Sequence, residues 1–301
     1  MGLAWQQGPL AKGRIGTFLV PQPLPERLLY AEPLRRRMSA LFAGEQVAQS
    51  DDVILLHEPA RYPVAYFPKS DIRADFLQPA NHVNEHPELG PTTWYALSLG
   101  ERSAPRGAWE HTSPPEFAQM FADRVAFAWH AMDAFHEEAE RIIGHASDAY
   151  HRIDIRQSER HVVVAAGEQT VAETTRALVL YESGFAPRWY VPRDDVDAAT
   201  IEPQDGQTFC PYKGLCSYYN VGDTERSGWT YLEPYREVDR ITGFISFEAD
   251  KVTVTIDGEQ LHAEPGQNVV PHGPDRGLTP DEVTGPGLRD GVRAMTASAA
   301  Q

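Results

Sequence analysis

Leu56-His57-Glu58, Arg61-Tyr62-Pro63 and Tyr66-Phe67-Pro68 return 124 residues later as Leu180-Tyr181-Glu182, Phe185-Ala186-Pro187 and Tyr190-Val191-Pro192. Val47, Ala48, Asp71, Pro87, Gly90 and Tyr95 keep the same offset, as Val171, Ala172, Asp195, Pro211, Gly214 and Tyr219. Beyond Tyr95 the offset falls to 120, so that Trp109, Pro114 and Phe127 answer to Trp229, Pro234 and Phe247. A four-residue insertion in the first copy, between Tyr95 and Trp109, accounts for the fall. One structural unit is used twice, and function is to be sought where the copies differ.

Each copy carries the signals of β-structure. His161 to Ala165 is rich in β-branched residues, Ala166-Gly167-Glu168 reads as a turn, Thr170 to Glu173 returns, and Ala177 to Tyr181 is an apolar run of strand length. Ala43-Gly44-Glu45 and Val53 to His57 repeat that turn and strand in the first copy. Ile245 to Glu248 and Lys251 to Ile256 flank Ala249-Asp250 as an expected hairpin. In its second arm Val252, Val254 and Ile256 alternate with Thr253 and Thr255. Asp257-Gly258 is a strong turn signal. Met132 to Ile143 conflicts. Its composition is helical, whereas its repeat partner reads as strand. The expectation is a short strand over Val125 to Ala128 followed by a helical or irregular segment.

The expected fold is mainly β, with two tandem antiparallel modules related by a pseudo-twofold and a few short helices. Residues 1–31 form an extended lead-in, 32–142 the divergent first repeat and 143–263 the second. Residues 264–301 form a Gly- and Pro-rich tail with too few apolar residues to pack by itself. The 42% hydrophobic content suffices for a core, and no run approaches the ~18 apolar residues of a membrane span. The first residues lack the basic start and apolar stretch of a signal peptide. Two cysteines in 301 residues make no disulfide framework, which points to a cytoplasmic protein. A net charge of −16 argues against nucleic acid and anionic membrane as partners. Oligomeric state is left open.

The copies diverge most in one turn. The second has Cys210-Pro211-Tyr212-Lys213-Gly214 where the first has His86-Pro87-Glu88-Leu89-Gly90. The Pro and Gly suit a shared backbone turn; Cys, Tyr and Lys are additions. A cysteine near a lysine can be a thiolate close to neutral pH, and a desolvated lysine can form a Schiff base or bind an anion. The plain alternatives are a small buried hydrophobe for Cys210 and a solvated charge for Lys213.

The block from Tyr150 to Val221 resembles the family known as domain of unknown function 427. The resemblance rests on Asp148-Ala149-Tyr150-His151-Arg152-Ile153-Asp154, Tyr181-Glu182-Ser183-Gly184, Arg188-Trp189-Tyr190-Val191-Pro192 and Cys210-Pro211-Tyr212-Lys213-Gly214, in the family's order and in its tandem form. His57-Glu58-Pro59 and Tyr66-Phe67-Pro68 resemble the more divergent partner domain. The resemblance implies a β-rich fold and a candidate site at Glu182, Arg188, Tyr190, Cys210, Tyr212 and Lys213, with no established reaction. Cys216 stands where a small residue such as alanine is expected.

Glu182 recurs as Glu58, so it serves either a strand end or general acid–base work. Arg188 is able to clamp a carboxylate or to form a surface ion pair. Cys210, Lys213, Tyr212 and Glu182 are the catalytic candidates; Arg188, Tyr190, Tyr219 and Trp229 are the binding candidates. No metal is expected, because His130, His136, Glu137, Glu138, His145 and His151 match no zinc spacing. The family is sometimes labelled nucleotidyltransferase-like. Asp195-Val196-Asp197 offers a carboxylate pair, but no Gly-rich phosphate cradle accompanies it. No cofactor is expected. The leading reading is a hydrolase or lyase acting on a small anionic metabolite. The rivals are a non-catalytic module for a small ligand and a structural interaction protein.

Overall fold

A computed structural model describes residues 2–4 and 6–262. Short alternating runs become strands, and residues with positive φ turn them. Ala43 (φ 54°) and Gly44 (φ 77°) close one hairpin, and Asp257 (φ 52°) and Gly258 (φ 86°) close another. The described residues fall into two units that divide between Ala149 and Tyr150.

In the first unit the strands are β1 (Tyr30–Pro33), β2 (Met38–Phe42), β3 (Glu45–Ser50), β4 (Ile54–His57), β5 (Val64–Pro68), β6 (Leu77–His86), β7 (Gly90–Leu99), β8 (Arg102–His111), β9 (Arg124–Phe127), β10 (Ala134–Glu137) and β11 (Glu140–Ile142). In the second they are β12 (Ile153–Gln157), β13 (Val162–Ala166), β14 (Gln169–Thr174), β15 (Leu178–Glu182), β16 (Arg188–Val191), β17 (Ile201–Cys210), β18 (Gly214–Val221), β19 (Thr224–Thr230), β20 (Ile245–Phe247), β21 (Thr253–Ile256) and β22 (Glu259–Gln260). The protein is thus mainly β, built from two antiparallel modules with a few short 3-10 helices, such as Glu116–Phe121 and Arg236–Ile241.

The two units match strand for strand. A seven-stranded sheet runs β1-β4-β5-β9-β8-β7-β6 in one and β12-β15-β16-β20-β19-β18-β17 in the other. The four-stranded sheets run β11-β10-β2-β3 and β14-β13-β21-β22. The core lies between sheets. In the second unit Val162, Val164, Val254 and Ile256 of the small sheet pack with Val191, Ile245 and Phe247 of the large one. The other face of that large sheet buries Leu178, Leu180, Tyr190 and Trp229 against Val238 and Ile241 of the 3-10 helix.

Two expectations are corrected. The segment after Ala128 is not helical beyond one 3-10 turn, Trp129–Ala131; it is the hairpin β10–β11. Helix-favouring composition loses to a strand pattern that buries Phe135 and Glu137 and pairs β10 with β2. The repeat partner, β21, was the better guide. Nor do Ile245–Phe247 and Thr253–Ile256 form a hairpin. β20 pairs with β16 and β19, β21 pairs with β13 and β22, and the Ala249-Asp250 turn carries the chain from one sheet to the other. The expected tail, 264–301, lies outside the described residues. Among the described residues no helix is long and apolar enough to cross a membrane.

Candidate functional site

Each unit buries one carboxylate at the end of equivalent strands, Glu182 at the end of β15 and Glu58 just beyond β4. A buried carboxylate must be paired or hydrogen-bonded, so its neighbours define the site. In the second unit Nζ of Lys213 donates to Oε2 of Glu182 at 2.6 Å, and Nε2 of His151 lies 2.9 Å from Oε1. Side chains 213 and 182 are 10% and 9% exposed, so Lys213 is no solvated surface charge. The ring of Tyr212 stacks on His151, with centroids 3.5 Å apart and planes inclined by 20°.

Burial alone would raise the Glu182 carboxyl, but the His151 hydrogen bond and the Lys213 ammonium overcome it and hold the group at about 2. Burial lowers the His151 imidazole below its ordinary value against the pull of Glu182. The ring is therefore neutral at pH 7, with Nε2–H donating to the carboxylate.

Backbone pairing places the turn that carries Lys213. Cys210 ends β17, Gly214 opens β18, and the two pair. The Lys213 N–H donates to the Cys210 carbonyl at 3.3 Å, and the Tyr235 N–H donates to the Lys213 carbonyl at 3.1 Å. Gly214 sits at φ +93° and bridges Pro234, which explains why glycine stands in both copies.

The remaining candidates are distributed by strand alternation. Cys210 is half-buried and packs on the face of the large sheet that also holds Cys216, Tyr190 and Trp229; both thiols are free. Burial pushes the Cys216 thiol up, as a core thiol requires. The Tyr190 hydroxyl accepts from Nε1 of Trp229 at 3.3 Å, a buried brace that the first unit repeats with Tyr66 and Trp109 at 3.2 Å. Tyr219 points to the opposite face, with Arg193 5.4 Å over its ring. Arg188 does not reach Glu182. Its guanidinium lies 5.8 Å over the Trp229 ring and 4.0 Å from Glu248. Asp195 of the Asp195-Val196-Asp197 run accepts from Thr174 at 2.6 Å and from Arg176 at 2.7 Å, which makes it a strut.

The first copy is not a bare scaffold. His86, in the place of Cys210, donates through Nε2 to Glu58 at 3.0 Å. Its Nδ1 accepts from the N–H groups of Glu88 and Leu89, which fixes that tautomer. Arg27 reaches Glu58 at 2.8 Å and Glu88 at 3.2 Å, and Arg61 lies 3.6 Å from Glu58. His111 sits 3.0 Å from the Tyr66 hydroxyl and 3.1 Å from Thr92, and burial pushes it down to about 4.

Both units therefore keep the carboxylate and change its partners. Arg27 and His151 stand at one repeat position and meet the same two partners, residues 58 and 88 or 182 and 212. Sequence reasoning missed this position as a site residue. The sequence carries little signal there, because between residues 27 and 46 only Arg36 repeats at the 124-residue offset, as Arg160. Among the described residues no three His, Cys, Asp or Glu side chains converge as metal ligands would.

No curated protein matches the chain. The sequence pattern of one family, described as Domain of unknown function (DUF427), matches residues 30–138 and again 154–258. These stretches cover the two sets of matched strands apart from β11 and β22, and include Glu58 and Glu182. The chain belongs to this family, and carries its domain in tandem.

Proposed function

We propose that the second unit is a small-molecule enzyme of hydrolase or lyase type, acting without a redox cofactor on a small anionic metabolite. The observation that carries this reading is Glu182, which holds Lys213 and His151 together beside the turn bearing the half-buried Cys210 thiol. Cys210 is the nucleophile. Glu182, ionised down to about pH 2, orients its partners and is too weak a base for proton transfer at neutral pH. The neutral imidazole of His151 takes the role of base, and Tyr212 stacked on it is the adjoining acid. Arg188 supplies positive charge for the substrate. Two free thiols suit a cytosolic setting. The acidic balance of the chain gives no reason to add nucleic acid or membrane as partners.

One observation favours a second reading, a binding module without chemistry. The Lys213 ammonium is already engaged by Glu182 at 2.6 Å, and the first unit satisfies its own carboxylate with no thiol or lysine at the corresponding positions. Alkylation separates the two. Catalysis predicts that iodoacetamide modifies Cys210 at pH 7 at least about tenfold faster than Cys216, and that Lys213→Met removes the difference. Equal sluggishness of both thiols, read by mass spectrometry of the intact folded protein, eliminates the nucleophile. If a metabolite then still raises the melting temperature of wild type but not of Lys213→Met, the binding reading stands.

A further inference from the structure

The two units differ in a second place, on the opposite face of the large sheet. In the first unit the space beside β5 and β10 is filled. Trp129 stacks on Phe135 with centroids 4.0 Å apart, and Phe67 packs on Phe127 at 5.5 Å. Strand register gives the counterparts. Phe135 pairs with Ala40 as Val254 pairs with Val164, and the repeat offsets set Trp129 against Ala249 and Phe67 against Val191. Tyr62, stacked on His145 in the first unit, becomes Ala186. Every one of these exchanges removes volume, and Ala186, Val191, Ala249 and Val254 all line one cavity of about 320 Å³ in the second unit. Ala65 becomes Trp189 in the opposite direction, and that indole forms a wall of the same cavity.

Protein cores close such space to crystal-like density. A cavity of this size, with an apolar body and polar groups at its edge, has the form of a ligand site. Its polar groups include two arginines, Arg160 and Arg188, beside Tyr181, Ser246, Gln260 and His262. Arg160 lies 5.6 Å over the Trp189 ring; Arg188 touches the rim, but its guanidinium lies over Trp229 on the other face of the sheet. Asp257 engages Nε of Arg160 at 2.5 Å, and the guanidinium carries five N–H donors in all. Glu259 is the acidic group of the lining.

We infer that this cavity binds a small amphipathic anion, with a flat aromatic or branched hydrocarbon body between the sheets and an anionic head at Arg160. The site is separate from Glu182. β16 turns Trp189 and Val191 toward the cavity and Tyr190 toward the other face.

The test uses the full chain with 1-anilinonaphthalene-8-sulfonate as the fluorescent probe and 4-phenylbutyrate as competitor. The inference expects saturable binding of one probe per chain, displaced by 4-phenylbutyrate and not by 4-phenylbutylamine. Val254→Phe and Ala249→Trp restore the filling side chains of the first unit and should weaken binding at least about tenfold without lowering the melting temperature. Arg160→Gln should weaken it several-fold, and Lys213→Met should leave it unchanged, which keeps this result independent of the site at Glu182. Val162→Met serves the same purpose as the larger replacements should either fail to fold. Absence of saturable binding, binding indifferent to Val254→Phe, equal displacement by the amine, or binding that emerges only after deletion of residues 263–301 would overturn it.

Discussion

Glu182 shows what a buried charge demands of its neighbours. Replacing it with glutamine leaves the Lys213 ammonium buried against a neutral amide, and breaking such a pair costs about 3–5 kcal/mol. The pH dependence follows from the same contacts. The carboxyl is held at about 2 in the folded chain against 4.5 as its ordinary value. Its stabilisation is complete above pH 4.5 and is lost as pH falls from 4.5 toward 2, because the unfolded chain takes up the proton first; the full loss is roughly 3 kcal/mol. Urea unfolding of Glu182→Gln should therefore show a lower midpoint at pH 7 and a flatter decline across that window; a decline as steep as in wild type would refute the ion pair. This part of the site was legible from the chain. Cys210, Tyr212 and Lys213 stood out because they change between copies while Pro211 and Gly214 do not. His151 did not stand out, because its counterpart is an arginine, and only the fold shows that each side chain reaches the equivalent carboxylate of its own unit.

Among elements, the β7–β8 hairpin is where the copies part in length. The four added residues lengthen the arms beyond the Leu97–Ala104 pair, which the second unit repeats as Val221–Thr224, and add the pairs Ser98–Ser103 and Leu99–Arg102. Gly107 lies against the Leu97–Ala104 pair. A Cβ there would press into Cγ and Cδ1 of the fully buried Leu97 and stand 3.2 Å from Cβ of Ala104. Gly107→Ala should destabilise the first unit by about 1–3 kcal/mol through overpacking, measured as a drop in the urea midpoint at unchanged slope; no drop would mean that Leu97 yields freely. The equivalent residue in the second unit is Ser227, whose hydroxyl donates to the Thr224 carbonyl at 2.8 Å; there Val221 and Thr224 stand in place of Leu97 and Ala104, and the position holds a side chain. Strands and turns were readable here because alternation and positive-φ turn residues are local. What misled was also local. The run Glu137, Glu138, Glu140, Arg141 has helical composition, yet Phe135 has a core to enter only as part of a strand on β2. Likewise Ala249-Asp250 looks like any hairpin turn; that it changes sheets depends on partners far away in sequence, β16 and β13.

Across the whole molecule, duplication divides stability as well as structure. One hydrophobic cluster, from Leu34 to Ala146, lies within the first unit, and two others, from Ile155 to Ile256, lie within the second. Each unit is of ordinary domain size and encloses its own core, which is the condition for cooperative unfolding unit by unit. The two variants above then become reporters. Gly107→Ala removes free energy only where Leu97 is buried, and Glu182→Gln only where Lys213 is. Scanning calorimetry of the full chain should resolve two transitions, with the alanine variant lowering one and the glutamine variant the other. At this size each lost kcal/mol lowers a midpoint by about 2–4 °C, so shifts of several degrees are expected in the affected transition and none in its neighbour. If both variants lower a single common transition, the cores are energetically one, and the sequence repeat marks a shared fold without marking separate folding units.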